Sequence, residues 1–137
     1  MSRQQLDDLF ASNPAGPIPN GEAHGTAIIA PGTVFSRPIA EAINLFCWKG
    51  KVFNEPLGVL VNRITPFGID AIVAEVYVAP SWLDGKDCIV LDYSKTSFVA
   101  ERVRDEIREV APNLYLGLVY WAKARLIDFS LSFSPAP

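Results

Sequence analysis

Glu75, Asp92 and Arg125 are charged residues set in rows of apolar, strand-forming sequence, which makes them the first candidates for chemistry. Alternation with period two puts Glu75 on a face with Ala71, Val73 and Tyr77, and Asp92 on a face with Cys88 and Val90. A carboxylate in such company is a rim group in water, half of an ion pair, or an acid held neutral by burial. Asp92 and Glu75 are therefore the candidate catalytic carboxylates. Arg125 shares its face with Ile127, Phe129, Leu131 and Phe133, and an aromatic face of this kind belongs inside. An unpaired cation there costs several kcal/mol even after relaxation. Arg125 is accordingly expected to pair with Glu75 or Asp92, unless a bulge turns it to the surface. Tyr77 and Tyr120 can offer hydroxyls, and Trp48 and Phe129 aromatic walls. The candidate ligand-binding set is Trp48, Tyr77, Tyr120, Arg125 and Phe129.

Several chemistries find no support. There is no Gly-x-Ser-x-Gly elbow, and the single histidine, His24, reads as an exposed or hydrogen-bonded strand residue rather than part of a triad. Gly50-Lys51 lacks the glycines of a phosphate loop, and no dinucleotide fingerprint is present. One histidine and two cysteines without Cys-x-x-Cys spacing argue against a metal site. Cys47 and Cys88 read as buried free thiols. No cofactor is implied. The net charge of −3 gives nucleic acid no electrostatic attraction.

No stretch approaches the ~18 apolar residues of a membrane span. The opening Met1-Ser2-Arg3-Gln4-Gln5-Leu6-Asp7-Asp8 lacks the apolar core of a signal peptide, so a cytoplasmic setting is expected. Half of the 137 residues are hydrophobic and mean hydropathy is +0.20. A surplus of that size fills a core, lines a cavity or hides a face in an oligomer.

These side chains need a scaffold, and its best-defined part runs from Gly68 to Tyr93. Two arms rich in β-branched and aromatic residues flank Pro80-Ser81-Trp82-Leu83-Asp84-Gly85, whose Asp-Gly pair favours a turn. Ahead of them, Ser2 to Phe10 reads as a short amphipathic helix. A Pro/Gly-rich strap follows to residue 21, and His24 to Ala30 is a first strand. Arg37 to Phe46 reads as a helix, Trp48 to Phe53 and Leu57 to Ile64 as strands. Thr96 or Ser97 is expected to cap a long helix to about Val110. Val99, Val103, Ile107 and Val110 would be its buried stripe, and pairs such as Arg102–Glu106 its solvated face. Leu114 to Trp121 and Ala124 to Phe133 form a hairpin through Ala122-Lys123. In the first of these strands both faces are apolar, so one is expected to meet a helix and the other the interior. The tail 134–137 is expected to be disordered.

The chain thus reads as one mainly β domain over residues 1–137, with seven or eight antiparallel strands and two or three helices. A small closed β-barrel suits that count, because closure removes the sheet edges. Within it Trp48-x-Gly50-Lys51-x-Phe53 is the most distinctive short motif. With the Gly-rich first strand, the helical segment before it, Asp105-Glu106-Ile107-Arg108-Glu109-Val110 and the later Leu116-Gly117, it resembles small bacterial proteins of the Gly-x-Trp-x-Gly group. The first strand here, Gly25-Thr26-Ala27-Ile28-Ile29, has no tryptophan where the namesake motif has one. That resemblance implies a lipocalin-like (calycin) barrel that holds an apolar ligand, and it transfers no catalytic residue.

Three functions are expected to compete. The first is binding of a small apolar or amphipathic molecule, of fatty acid, terpenoid or polyketide type, in the barrel. The second is a cofactor-independent isomerase, cyclase or dehydratase, for which burial must move a carboxylate towards neutrality while Tyr or Arg steadies developing charge. The third is a homodimer module, with the 37–46 helix and Trp82 as the contact.

Overall fold

The computed structural model describes residues 2–28, 51–63, 70–94 and 101–134. Eight strands form a closed, all-antiparallel barrel in sequence order: β1 (Gly21–Ile28), β2 (Lys51–Asn54), β3 (Val59–Arg63), β4 (Asp70–Pro80), β5 (Asp87–Asp92), β6 (Val103–Ala111), β7 (Leu114–Trp121) and β8 (Ala124–Phe133). β1 pairs with β8 to close it. Among the described residues one α-helix, α1 (Arg3–Ala11), precedes the barrel, and a 3₁₀ turn, Glu55–Leu57, joins β2 to β3. Ser2 caps α1 through a reciprocal box with Gln5, which satisfies two otherwise unpaired amide donors. The expected helix at 37–46, and residues 135–137, lie outside the described residues.

The central hairpin is as the sequence predicts, with Val76 opposite Leu91 and Tyr77 opposite Val90. So is the last one, where Ala122 and Lys123 take φ of 48° and 73° in a two-residue turn. The long helix expected to reach Val110 is a correction: residues 103–111 form strand β6, paired on both sides. The segment satisfies both periods. Val103, Asp105 and Ile107 alternate inwards while Arg104, Glu106 and Arg108 alternate outwards, and barrel closure needs a strand between β5 and β7.

Two apolar layers result. The interior holds Phe53, Leu60, Val76, Ile89, Leu91, Ile107, Val119, Ile127, Phe129 and Leu131. The outer faces of β5 and β7 carry Cys88, Val90, Leu116, Leu118 and Tyr120, and α1 covers them with Leu6 and Phe10. The two-faced apolar β7 is thereby explained as expected, by a helix on one side and the interior on the other. Inside, the Phe129 ring lies directly on the backbone of its cross-strand partner Gly117, where a Cβ would come within 2.2 Å of the ring. Gly117→Ala must push that ring aside, and a loss of about 1–3 kcal/mol is expected in urea unfolding. An unchanged midpoint would refute the contact.

The lower end is sealed by the strap. Ala15 and Ile18 pack against the core, and the Tyr115 hydroxyl donates to the Pro17 carbonyl at 2.7 Å. Phe133 stands edge-on between Phe53 and Tyr115, with centroids 5.6 and 5.5 Å away. At the opposite, upper end β1, β3 and β5 finish and β2, β4 and β6 begin.

Candidate functional site

Near that upper end the apolar interior is interrupted by three polar side chains, one from β2 and two from the neighbouring β5 and β6 across the barrel. Lys51 begins β2, Tyr93 follows β5, and Asp105 is the third residue of β6. Their parities face them inwards, Lys51 with Phe53, Tyr93 with Leu91, and Asp105 with Val103 and Ile107. The Lys51 Nζ lies 3.0 Å from the Tyr93 hydroxyl and 4.0 Å from Asp105 Oδ2. None of the three is more than 2% exposed. Asp105 Oδ1 is buried without a hydrogen-bond partner. Burial drives the Asp105 carboxyl up to about 6, against the opposing pull of the Lys51 ammonium. A poised carboxylate, an amine and a phenol therefore meet in one dry place.

The sequence-predicted candidates are distributed differently. Phe129 is interior, as its alternation requires. Glu75, Tyr77, Asp92 and Tyr120 belong to the outer faces, and Trp48 lies outside the described residues. The Tyr77 hydroxyl donates to Asp92 Oδ2 at 2.6 Å. Burial and that bond push the Tyr77 hydroxyl up to about 12. Burial alone would raise Asp92, but hydrogen bonds from Ser94 and Tyr77 outweigh it and leave the carboxyl below its ordinary value. That is the reverse of what a base at neutral pH requires.

Arg125 is a second correction. It pairs with neither Glu75 nor Asp92. Its guanidinium bonds Asp7 of α1 at 2.9 Å and Asp128 at 2.7 Å, above the Tyr120 ring. The cause is a register shift between Val119 and Tyr120, which sets Tyr120 opposite Arg125 but Val119 opposite Ile127. The extra residue turns Arg125 outwards and sends Leu126 against the interior.

A further charged row occupies the outer face of β6. Glu106 accepts from the Ser81 hydroxyl (2.6 Å), the Trp82 amide (2.9 Å) and Arg104 (3.0 Å). Arg104 also stacks on Trp82, 4.3 Å from its ring centroid. Arg108 grips both Asp84 oxygens at 2.7 and 2.8 Å and donates to the carbonyls of Phe10, Lys86 and Asp87. These groups fasten the β4–β5 turn and α1 to the barrel and have little capacity left for a ligand. His24 is exposed and Cys88 is a buried free thiol, both as expected. Burial pushes the Cys88 thiol up to about 12, which makes it inert.

Lys51, Tyr93 and Asp105 were legible only in part. Lys51 shares parity with the packing anchor Phe53, and that signal was available. Asp105 was assigned to a solvated helix face, so its inward parity could not register.

No protein-family model matches the chain, and none of the curated proteins does. Among solved structures it is similar to a protein from Thermomonospora curvata, with a TM-score of 0.66 at 12% identity over 98% of this chain and 89% of that one. At that identity the likeness speaks for the barrel alone. Among the described residues no helix is long and apolar enough to cross a membrane, and no group of potential ligands is placed to hold a metal ion.

Proposed function

We propose that this is a lipocalin-like (calycin) barrel that takes a small apolar or amphipathic molecule, of fatty acid, terpenoid or polyketide type, through its upper end. One observation carries the reading: a buried Lys51–Tyr93–Asp105 cluster, with an unsatisfied Asp105 oxygen, at the end of the apolar interior away from the 12–20 strap. Buried polar atoms without partners are rare in folded proteins and call for an explanation. A ligand head group that donates to Asp105 and accepts from Lys51 or Tyr93 supplies one, while its apolar part meets Leu91, Val103 and Ile107. The same reading fits a bacterial, cytoplasmic lipid-binding protein that acts as a monomer or homodimer.

Native mass spectrometry after gentle purification tests it, followed by titration with decan-1-ol. The expected result is a carried molecule or saturable binding of the alcohol, lost in Lys51→Met. A chain that emerges empty and ignores the probe would sink the reading.

The Asp105 carboxyl favours a second reading, a cofactor-independent proton-transfer enzyme. An acid at about 6 shuttles protons near neutrality, and Lys51 and Tyr93 can steady an enolate. The base is then Asp105, not Asp92 or Glu75. Carboxylate titration by NMR distinguishes the cases, because an Asp105 value near the ordinary 3.9 leaves no poised base.

A further inference from the structure

We infer that the molecule held in the barrel ends in a neutral hydroxyl, which donates to Asp105 Oδ1, and that long-chain carboxylates are refused. The inference rests on the binding reading and deepens it by choosing the head group.

Asp105 alone sets the requirement. It faces inwards from β6, is 2% exposed, and has the apolar Leu91 of β5 and Val119 of β7 opposite it on either side. Lys51 Nζ lies 4.0 Å from one of its oxygens, Oδ2, and Tyr93 is bonded to Lys51. The other oxygen, Oδ1, is buried and has no hydrogen-bond partner. In an ionised carboxyl both oxygens only accept, so whatever completes this site must bring a proton to Oδ1.

Bond direction then sorts the possible head groups. A hydroxyl donates one bond and keeps its lone pairs for other neighbours. An ether only accepts, and it would leave Oδ1 as unsatisfied as before. A carboxylate also only accepts, and it adds a negative charge beside a buried acid. Two carboxylates share such a place only when one of them takes up a proton. An ammonium does donate. It brings three donors, however, where Oδ1 is the one free buried side-chain acceptor among the described residues. The hydroxyl also suits both states of Asp105. Burial raises that carboxyl to about 6. Below that pH Asp105 carries its own proton, and a hydroxyl can accept it as readily as it donated.

The test is titration of the protein at pH 7.5 with four probes of nearly equal length: decan-1-ol, decylamine, decanoate and 1-methoxynonane. Native mass spectrometry and calorimetry read the binding. Decan-1-ol should bind at least about tenfold more tightly than each of the others, the margin set by leaving a buried polar atom unpaired. The ether should gain as pH falls from 7.5 to 5, because protonated Asp105 then donates to it, while the alcohol changes little. Asp105→Asn puts an amide donor in the carboxylate's place and should admit decanoate, a gain that a misfolded variant cannot show. In Lys51→Met/Asp105→Leu the advantage of the alcohol over the ether should disappear. Any of the other three probes bound by the parent as tightly as the alcohol overturns the hydroxyl and leaves the binding reading standing. An Asp105→Asn protein that still refuses decanoate overturns the hydroxyl as well. If none of the four binds, both readings fall.

Discussion

Replacing Lys51 and Asp105 together, as Lys51→Met/Asp105→Leu, should give a protein about 1–4 kcal/mol more stable than the parent, although either single change is destabilising by about 3–5 kcal/mol. The two groups are no more than 2% exposed and stand 4.0 Å apart, so their attraction is weak against the hydration they lose. Removing Lys51 takes from buried Asp105 the cation that faces it, and removing Asp105 takes a carboxylate from buried Lys51. Removing both lets apolar side chains join Leu91, Val103 and Ile107. Chemical unfolding of the four proteins at pH 7.5 gives the cycle. The pH profile adds a sign. The Asp105 carboxyl is raised from 3.8 to about 6 in the folded protein, so between those values the folded state binds more protons than the unfolded one. Parent stability from this group therefore falls as pH rises from about 4 to 6, and that limb should vanish in the double variant. A double variant less stable than both singles would mean that the cluster holds the fold together.

Arg108→Met should be the most damaging single change on the outer face, with a loss of about 3–5 kcal/mol. The guanidinium is fully buried and serves Asp84 and three carbonyls, and it lies 4.3 Å from the centroid of the Phe10 ring. Arg108→Lys should recover only part, because an ammonium cannot reproduce the two-pronged grip on Asp84. Acid provides a second check. The hydrogen bonds from Arg108 hold the Asp84 carboxyl down at about 2, below its ordinary 3.8. The stability this contributes is fully present above 3.8 and is lost as pH falls through about 2. The gap between parent and Arg108→Met should therefore narrow over that window. A constant gap down to pH 2 would refute the coupling.

The barrel was legible in the sequence because two hairpins announce themselves through alternation and turn residues. Gly85, for example, takes φ of 74° in the predicted Asp-Gly turn. β6 was not legible. Val103-Arg104-Asp105-Glu106-Ile107-Arg108 offers opposite charges at helical spacing, and what makes Glu106 and Arg108 buried strand residues is Ser81, Asp84 and the Phe10 carbonyl. Those partners lie between 24 and 98 residues away. Arg125 fails for a related reason. A one-residue bulge inverts every parity argument that crosses it, and its stabilising partner Asp7 lies on a helix that no local pattern ties to β8. The candidate site combines both difficulties, since Asp105 sits on the misread segment and meets Lys51 only once the barrel has closed.

That closure has a kinetic side. The seam joins β1 to β8, with Ala23 opposite Phe133 and Ile28 opposite Asp128. α1 crosses the same divide: Arg3 donates to the Leu126 carbonyl over 123 positions and Arg125 reaches Asp7 over 118. Such contacts can form only after the long loop between them has been closed, a large entropic step that slows folding. The β6–β7–β8 meander, built from neighbouring hairpins, can assemble early. Until the seam forms, β1 and β8 expose unpaired edges and the outer apolar face of β7 waits for its helix. A chain emerging from the ribosome thus cannot close its sheet until β8 has been made. The charged capping helix then acts as a late latch, and weakening it at Asp7 should show first as aggregation during refolding.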